Sequence, residues 1–225
     1  MANVNVSGFL NCSDGTVIPL SATLAEGTES NLTTNTTYTV AASNIGDFAP
    51  GKTVVSGSIQ GQNGIAYAYI LRQGLVAAII PVSKKGISGD GAFPLCAPFT
   101  LQAGDILRCM ANTATDREAA VCVYTNRGVS RIFVVTPSGG ATNEPVDLQT
   151  GNGLGDTLQG QVIVKAFCTS IDGNKIDGGG SLALNEKGIP VGAVPANSPL
   201  SSAVYFSNVS IRVALNYKWT LVTSS

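Results

Sequence analysis

From Ala203 to Val222 the chain alternates with a period of two. One side reads Ala203, Tyr205, Ser207, Val209, Ile211, Val213, Leu215, Tyr217, Trp219 and Leu221, and the other side is mostly polar, with Asn208, Ser210, Arg212, Asn216, Lys218 and Thr220. Alternation of this kind is the signature of a strand with one face on a core, not of a helix. At about 3.4 Å per residue the run would span roughly 65 Å, beyond an ordinary strand, so it is expected to be two strands in phase or a strand that leaves its own domain.

The same reading applied upstream predicts mostly sheet. Asn3 to Leu10 and Thr16 to Leu24 flank Asp14-Gly15, a step suited to a tight turn with positive φ, and are expected to form an opening hairpin. Ala25 to Asn35 reads as a polar loop, Thr36 to Ala42 and Thr53 to Gln60 as strands. Ile65 to Leu71 and Leu75 to Val82 form a second hairpin candidate. The run Leu-Val-Ala-Ala-Ile-Ile suits a buried strand or a short helix; its length and the closing Pro81 favour strand. Lys84 to Pro98, rich in glycine and proline, is expected to be a long irregular excursion.

Ile106 to Asn112, Glu118 to Thr125 and Val129 to Thr136 are expected to be three adjacent antiparallel strands, with at most one helical turn competing within Thr113 to Cys122. Pro137 to Pro145 is the expected linker. Gln161 to Thr169 and Leu182 to Leu184 read as strands beyond it, and Pro190 to Pro199 as a loop. The tally is about twelve to sixteen short strands, which places the chain in the all-β class. The expected fold is a jelly roll or β-sandwich over 1–137, a linker at 138–145, and a smaller β domain over 146–225 ending in a long strand pair. Two tandem jelly rolls are the alternative.

Composition sharpens the functional side. Only 12% of residues are charged and the net charge is −1, so little electrostatic repulsion keeps copies apart and a homo-oligomer is expected. The five cysteines show no C-x-x-C spacing, and no metal site is expected. The grouping of Asp172, Asn174 and Asp177 matches a calcium loop in part, without its register or distal Glu. No run of apolar residues is long enough for a membrane helix, and the first ten residues lack a secretion signal, so the chain is expected to be made in a host cytoplasm.

The chain contains no histidine, which removes Ser-His-Asp and Cys-His catalysis and His-ligated zinc. Neither phosphate-cradle pattern occurs, and Gly151-Asn-Gly-Leu-Gly155 reads as a flexible connection between β units. A carboxylate pair of the glycosidase kind remains formally open, but most acids sit in turns, where Asp serves its own backbone. No catalytic residue and no cofactor are expected. Thirteen Lys and Arg against fourteen acids, with none of the basic residues before residue 30, leave no footprint for direct nucleic-acid contact.

Leu101-Gln-Ala-Gly-Asp-Ile-Leu is similar to the L-x-x-G-D-x-[VIL] turn of jelly-roll and related β-sandwich proteins, including trimeric capsid-decoration and fibre-head modules. That match covers seven residues and is shared by many such proteins; it is the whole style of the chain, histidine-free, rich in Gly, Thr and Asn, nearly neutral and all-β, that resembles a viral virion structural protein, of bacteriophage type. The resemblance implies a capsid decoration or cement subunit that sits in a virion and binds itself, as a trimer, and other capsid proteins. A small double-jelly-roll major capsid protein is the nearest alternative. A glycan-binding adhesin or tail-spike module, with its site on loops 84–98 and 185–200, is the one from a different class. The residues expected to anchor an interface are Tyr205, Phe206, Tyr217 and Trp219, since aromatics are enriched at such anchors.

Overall fold

The computed structural model describes residues 2–32, 44–61, 64–80, 82, 93–111, 119–128, 130–135, 144–168, 181–186, 189–195 and 207–222. The chain falls into two compact units, Met1–Asp116 and Arg117–Ser225. The strands are antiparallel in every pairing between named elements, so the all-β class stands.

Unit 1 opens with β1 (Asn3–Cys12), β2 (Val17–Ala25) and β3 (Glu29–Leu32), followed by a single helical turn, α1 (Ile45–Phe48). It continues with β4 (Thr53–Gly61), β5 (Ile65–Arg72), β6 (Leu75–Ile80), β7 (Phe93–Thr100) and β8 (Ile106–Ala111). One sheet has the order β2-β1-β4-β7 and the other β3-β8-β5-β6. Alternate residues of both sheets meet in one core: Val4, Val6, Leu10, Ile18, Val54 and Ile59 from the first, Leu32, Ile70, Ile80, Leu107 and Cys109 from the second. The opening hairpin forms as its sequence predicts, with Gly15 at φ 84° in open space, a backbone that favours glycine.

Unit 2 contains β9 (Ala119–Thr125), β10 (Ser130–Val135), β11 (Val146–Asp147), the helical turn α2 (Leu154–Leu158), β12 (Val162–Cys168), β13 (Ser181–Glu186), β14 (Ile189–Pro195), β15 (Ser207–Arg212) and β16 (Tyr217–Val222). Its sheets have the orders β11-β10-β9-β12-β15 and β14-β13-β16. Ala120, Val121, Cys122 and Val123 are all buried, so β9 is covered on both faces. Such a strand reads as a continuous apolar run rather than an alternating one.

Numbered within each unit, the two topologies coincide at every described strand but the third. First, second, fourth and seventh strands run 2-1-4-7 in one sheet, and eighth, fifth and sixth run 8-5-6 in the other. The third strand differs, pairing with β8 in unit 1 but with β10 in unit 2. The correspondence reaches individual registers. Pairing of the first with the fourth strand shifts at Cys12–Val54 and Asn11–Ser56 in unit 1, and at Thr125–Ile163 and Tyr124–Lys165 in unit 2. The fifth-to-sixth hairpin shifts between Ile70 and Leu71 in one unit and between Leu184 and Asn185 in the other. Irregularities of this kind are placed features of a sheet, so their recurrence marks one structural unit used twice.

The helical turns carry the repeat in sequence as well: Ile45-Gly46-Asp47 with Gly51, and Leu154-Gly155-Asp156 with Gly160. Gly51 N donates to Leu101 O (2.9 Å) and Leu101 N to Lys52 O (2.8 Å); Gly160 N donates to Val213 O and Val213 N to Gln161 O, both at 2.9 Å. A Cβ on Gly46 would lie 2.0 Å from Gln102 O, and one on Gly155 2.1 Å from Leu215 O. In each unit, then, the backbone leading into the last strand rests directly on a glycine of the helical turn.

Several expectations are corrected. The boundary falls near 116, and β10 and β11 pair across the 138–145 segment expected as a linker, so that segment lies within unit 2. Among the described residues unit 2 has as many strands as unit 1, where a smaller β domain was expected. The three strands expected to be adjacent are split, because β8 belongs to unit 1 while β9 and β10 open unit 2. The terminal run is two strands that do not pair with each other: β15 bonds to β12 and β16 to β13. Two expected loops contain strands, β7 with Pro94 and Pro98 and β14 with Pro190 and Pro195. Both are edge strands, where proline is tolerated because one side of the backbone has no partner to satisfy. The expected polar loop at 25–35 likewise contains β3. The Thr36 to Ala42 strand lies outside the described residues.

Candidate interaction site

The L-x-x-G-D turn of unit 1 is a lock. Asp105 is 1% exposed and its carboxylate accepts from Arg72 Nε (2.8 Å), Arg72 Nη2 (2.7 Å) and its own turn's Gln102 N (2.8 Å). The same guanidinium reaches Thr100 O at 2.8 Å and lies 4.5 Å from the centre of the Phe99 ring. Beside the carboxylate, the Arg72 guanidinium is held above its ordinary pKa by that hydrogen bond. Gly104 N donates to Asp47 Oδ1 at 2.9 Å, which ties the turn to α1. The motif thus ties the end of β5 to the turn before β8 and to α1, and its chemistry is structural.

In unit 2 the same turn is Val213 to Tyr217, with Tyr217 N bonded to Ala214 O at 3.1 Å as Asp105 N is to Gln102 O. Tyr217 therefore occupies the position of the locking aspartate. It is half-buried and lines an open cleft of about 320 Å³. The remaining walls are Glu144, Val146, the glycine-rich loop from Gly151 to Gly153, Gly155 and Asp156, and Leu215 with Lys218. The loop is shaped by hydrogen bonds from Gly151 N to Asp147 O (2.7 Å) and from Asp147 N to Asn152 O (2.8 Å), with Gly151 at φ 70°. It joins β11 to α2 within one unit, not one β unit to another as its sequence suggested.

The cleft's chemistry is mixed. Val146 is 41% and Leu215 58% exposed, two of the four large apolar side chains that the described residues expose. Lys218 Nζ pairs with Glu144 Oε2 at 2.9 Å across the rim. The hydrogen bond and charge of Glu144, with a smaller contribution from Asp156, hold the ammonium above its ordinary pKa. Beneath the loop, the fully buried Asp147 accepts from Gln149 N at 2.8 Å and faces Arg131 Nε at 3.5 Å.

Of the four aromatics proposed as anchors, Tyr217 lines the cleft and Trp219 lies on β16, its backbone paired with Leu184. Tyr205 and Phe206 lie outside the described residues, as do Asp172, Asn174 and Asp177. Glu144, Val146, Leu215 and Lys218 were missed. Leu215 falls on the apolar side of the period-two run, where core burial is the default reading, and only the turn between β15 and β16 turns it outward.

Among the described residues no group of three or more Cys, Asp or Glu is placed to hold a metal ion, and no helix is long and apolar enough to cross a membrane. Compared with protein-family models, curated proteins and solved structures, the chain matches none.

Proposed function

We propose that this chain is a structural virion subunit that works through protein–protein contact, as a decoration or cement protein on a capsid, without a reacting centre. Each unit is read as a jelly roll. The observation that carries this reading is the repeated topology: among the described residues each unit has eight strands in two antiparallel sheets, seven of them placed alike, and a double-sheet architecture of eight strands is what a jelly roll uses. A near-zero net charge, −1, suits dense packing of copies. Contacts of about 2,000 Å² per copy would be enough for a permanent shell.

The duplication specifically favours a second reading, that the chain forms the shell itself as a small double-jelly-roll major capsid protein. Two like units in one chain offer two like sets of lateral contacts, which a closed lattice can use in equivalent ways. Sedimentation and electron microscopy of the purified protein separate the two. Closed particles from the protein alone support the shell role, and saturable binding to preformed shells supports decoration. A soluble species that neither assembles nor adds to shells, while binding sugars on a glycan array, would replace both with an adhesin.

A further inference from the structure

We infer that the cleft of unit 2 is a two-fold contact site for a second copy of this chain. The inference rests on the reading of the protein as a self-associating structural subunit and gives that association a place.

Three observations converge on the cleft. Val146 and Leu215 present exposed apolar surface at one spot, beside the half-buried ring of Tyr217. Exposed apolar residues rimmed by polar ones are what protein contacts bury. The corresponding position in unit 1 holds Asp105, sealed by Arg72, so the two units differ here, with a closed turn in one and an open wall in the other. The rim carries both signs, Glu144 and Lys218, in ion-pairing distance. An isologous contact needs a self-complementary patch, with residue i of one copy facing residue j of its partner and the reverse. The Glu144–Lys218 pair meets that condition, with Asp156 a second acid in the wall: two copies related by a two-fold axis exchange the internal pair for two pairs between copies. A cleft of about 320 Å³ holds one or two large side chains, and a stable dimer, at about 1,200 Å² or more, needs contact beyond it.

The test uses the full chain and analytical ultracentrifugation. Wild-type protein is expected to show a concentration-dependent dimer step. Leu215→Asp, at an exposed position, should weaken that step at least about tenfold. Glu144→Lys and Lys218→Glu should each do the same, because each places like charges opposite one another at both ends of the two-fold. Mixing the two charge-reversed proteins should restore association, since each then offers the other its complement. An effect confined within one chain cannot produce that rescue in trans. Circular dichroism confirms that each variant is folded. A wild type that stays monomeric, or one whose association is untouched by all three variants, overturns the inference, as does failure of the mixture to associate. Assembly into shells that survives all three variants would overturn the inference while leaving the structural role intact.

Discussion

The Arg72–Asp105 pair shows how one residue decides an element's end. Asp105 is 1% exposed, and its charge is tolerated because Arg72 and the Gln102 amide meet it. Removing one partner of such a pair costs more than the pair contributes, since the other charge is left buried and uncompensated. Arg72→Met is therefore expected to lower the unfolding free energy of unit 1 by about 3 kcal/mol, read from urea denaturation, whereas breaking the exposed Lys52–Asp14 pair, screened by water, should leave it little changed. Two buried groups make a pH prediction. Burial, and then the charge of Glu29, push the Cys109 thiol from its ordinary 9.0 up to about 12. Burial and a hydrogen bond to Glu29 also raise the Tyr69 phenol. Both groups keep their protons in the folded chain at a pH where the unfolded chain loses them. The stability they confer is complete below about pH 9 and is lost as pH rises towards 12. At pH 10.5 the Cys109 share of that loss is about 2 kcal/mol, and Cys109→Ala should remove that part of the slope between pH 8 and pH 10.5. The seven-residue L-x-x-G-D resemblance was legible in the sequence. The salt bridge behind it was not, because Arg72 lies 33 residues from Asp105 and only pairing of β5 with β8 brings them together.

At the scale of elements, period two and turn chemistry located most strands, and the misses share physical causes. β7, β14 and β3 were read as loops because proline and polar residues mark turns, yet an edge strand accommodates both. The terminal run of alternation was continuous because β15, the turn and β16 keep phase while crossing between sheets, and phase carries no information about which sheet a strand joins. Adjacency in sequence likewise misassigned β8, whose neighbours are β3 and β5 rather than β9. Amide hydrogen exchange tests this assignment directly. Protection is expected to be greatest in β1, β5, β9 and β12, each bonded on both sides, and lower by orders of magnitude in the edge strands β2, β6 and β14, as partner loss exposes backbone to water. Protection of β8 that tracked β9 rather than β5 would contradict the sheet order.

For the whole molecule, the duplication is the deepest feature and the least visible in the sequence. Its signals are sparse: an [IL]-G-D with a glycine six residues after its first position, and a turn glycine in the first hairpin of each unit, Gly15 and Gly128. A β fold constrains alternation and turns far more than residue identity, so two copies can diverge almost completely and keep registers and bulges. The shared glycines give the duplication a thermodynamic test. Gly46→Ala would drive a methyl to 2.0 Å from Gln102 O, and Gly155→Ala one to 2.1 Å from Leu215 O. In both, the obstacle is backbone, which cannot rotate aside as a side chain can. Overpacking of this kind costs about 3 kcal/mol or somewhat less where the turn can shift. Each unit has its own core, so calorimetry is expected to resolve two transitions, with Gly46→Ala lowering one and Gly155→Ala the other, each by several degrees. A single transition moved equally by both variants would mean that the two units fold as one cooperative body. Substitution of Gly15, which has open space around it and only its positive φ to lose, should cost about 1 kcal/mol. That contrast separates the effect of a blocked contact from the general cost of replacing glycine.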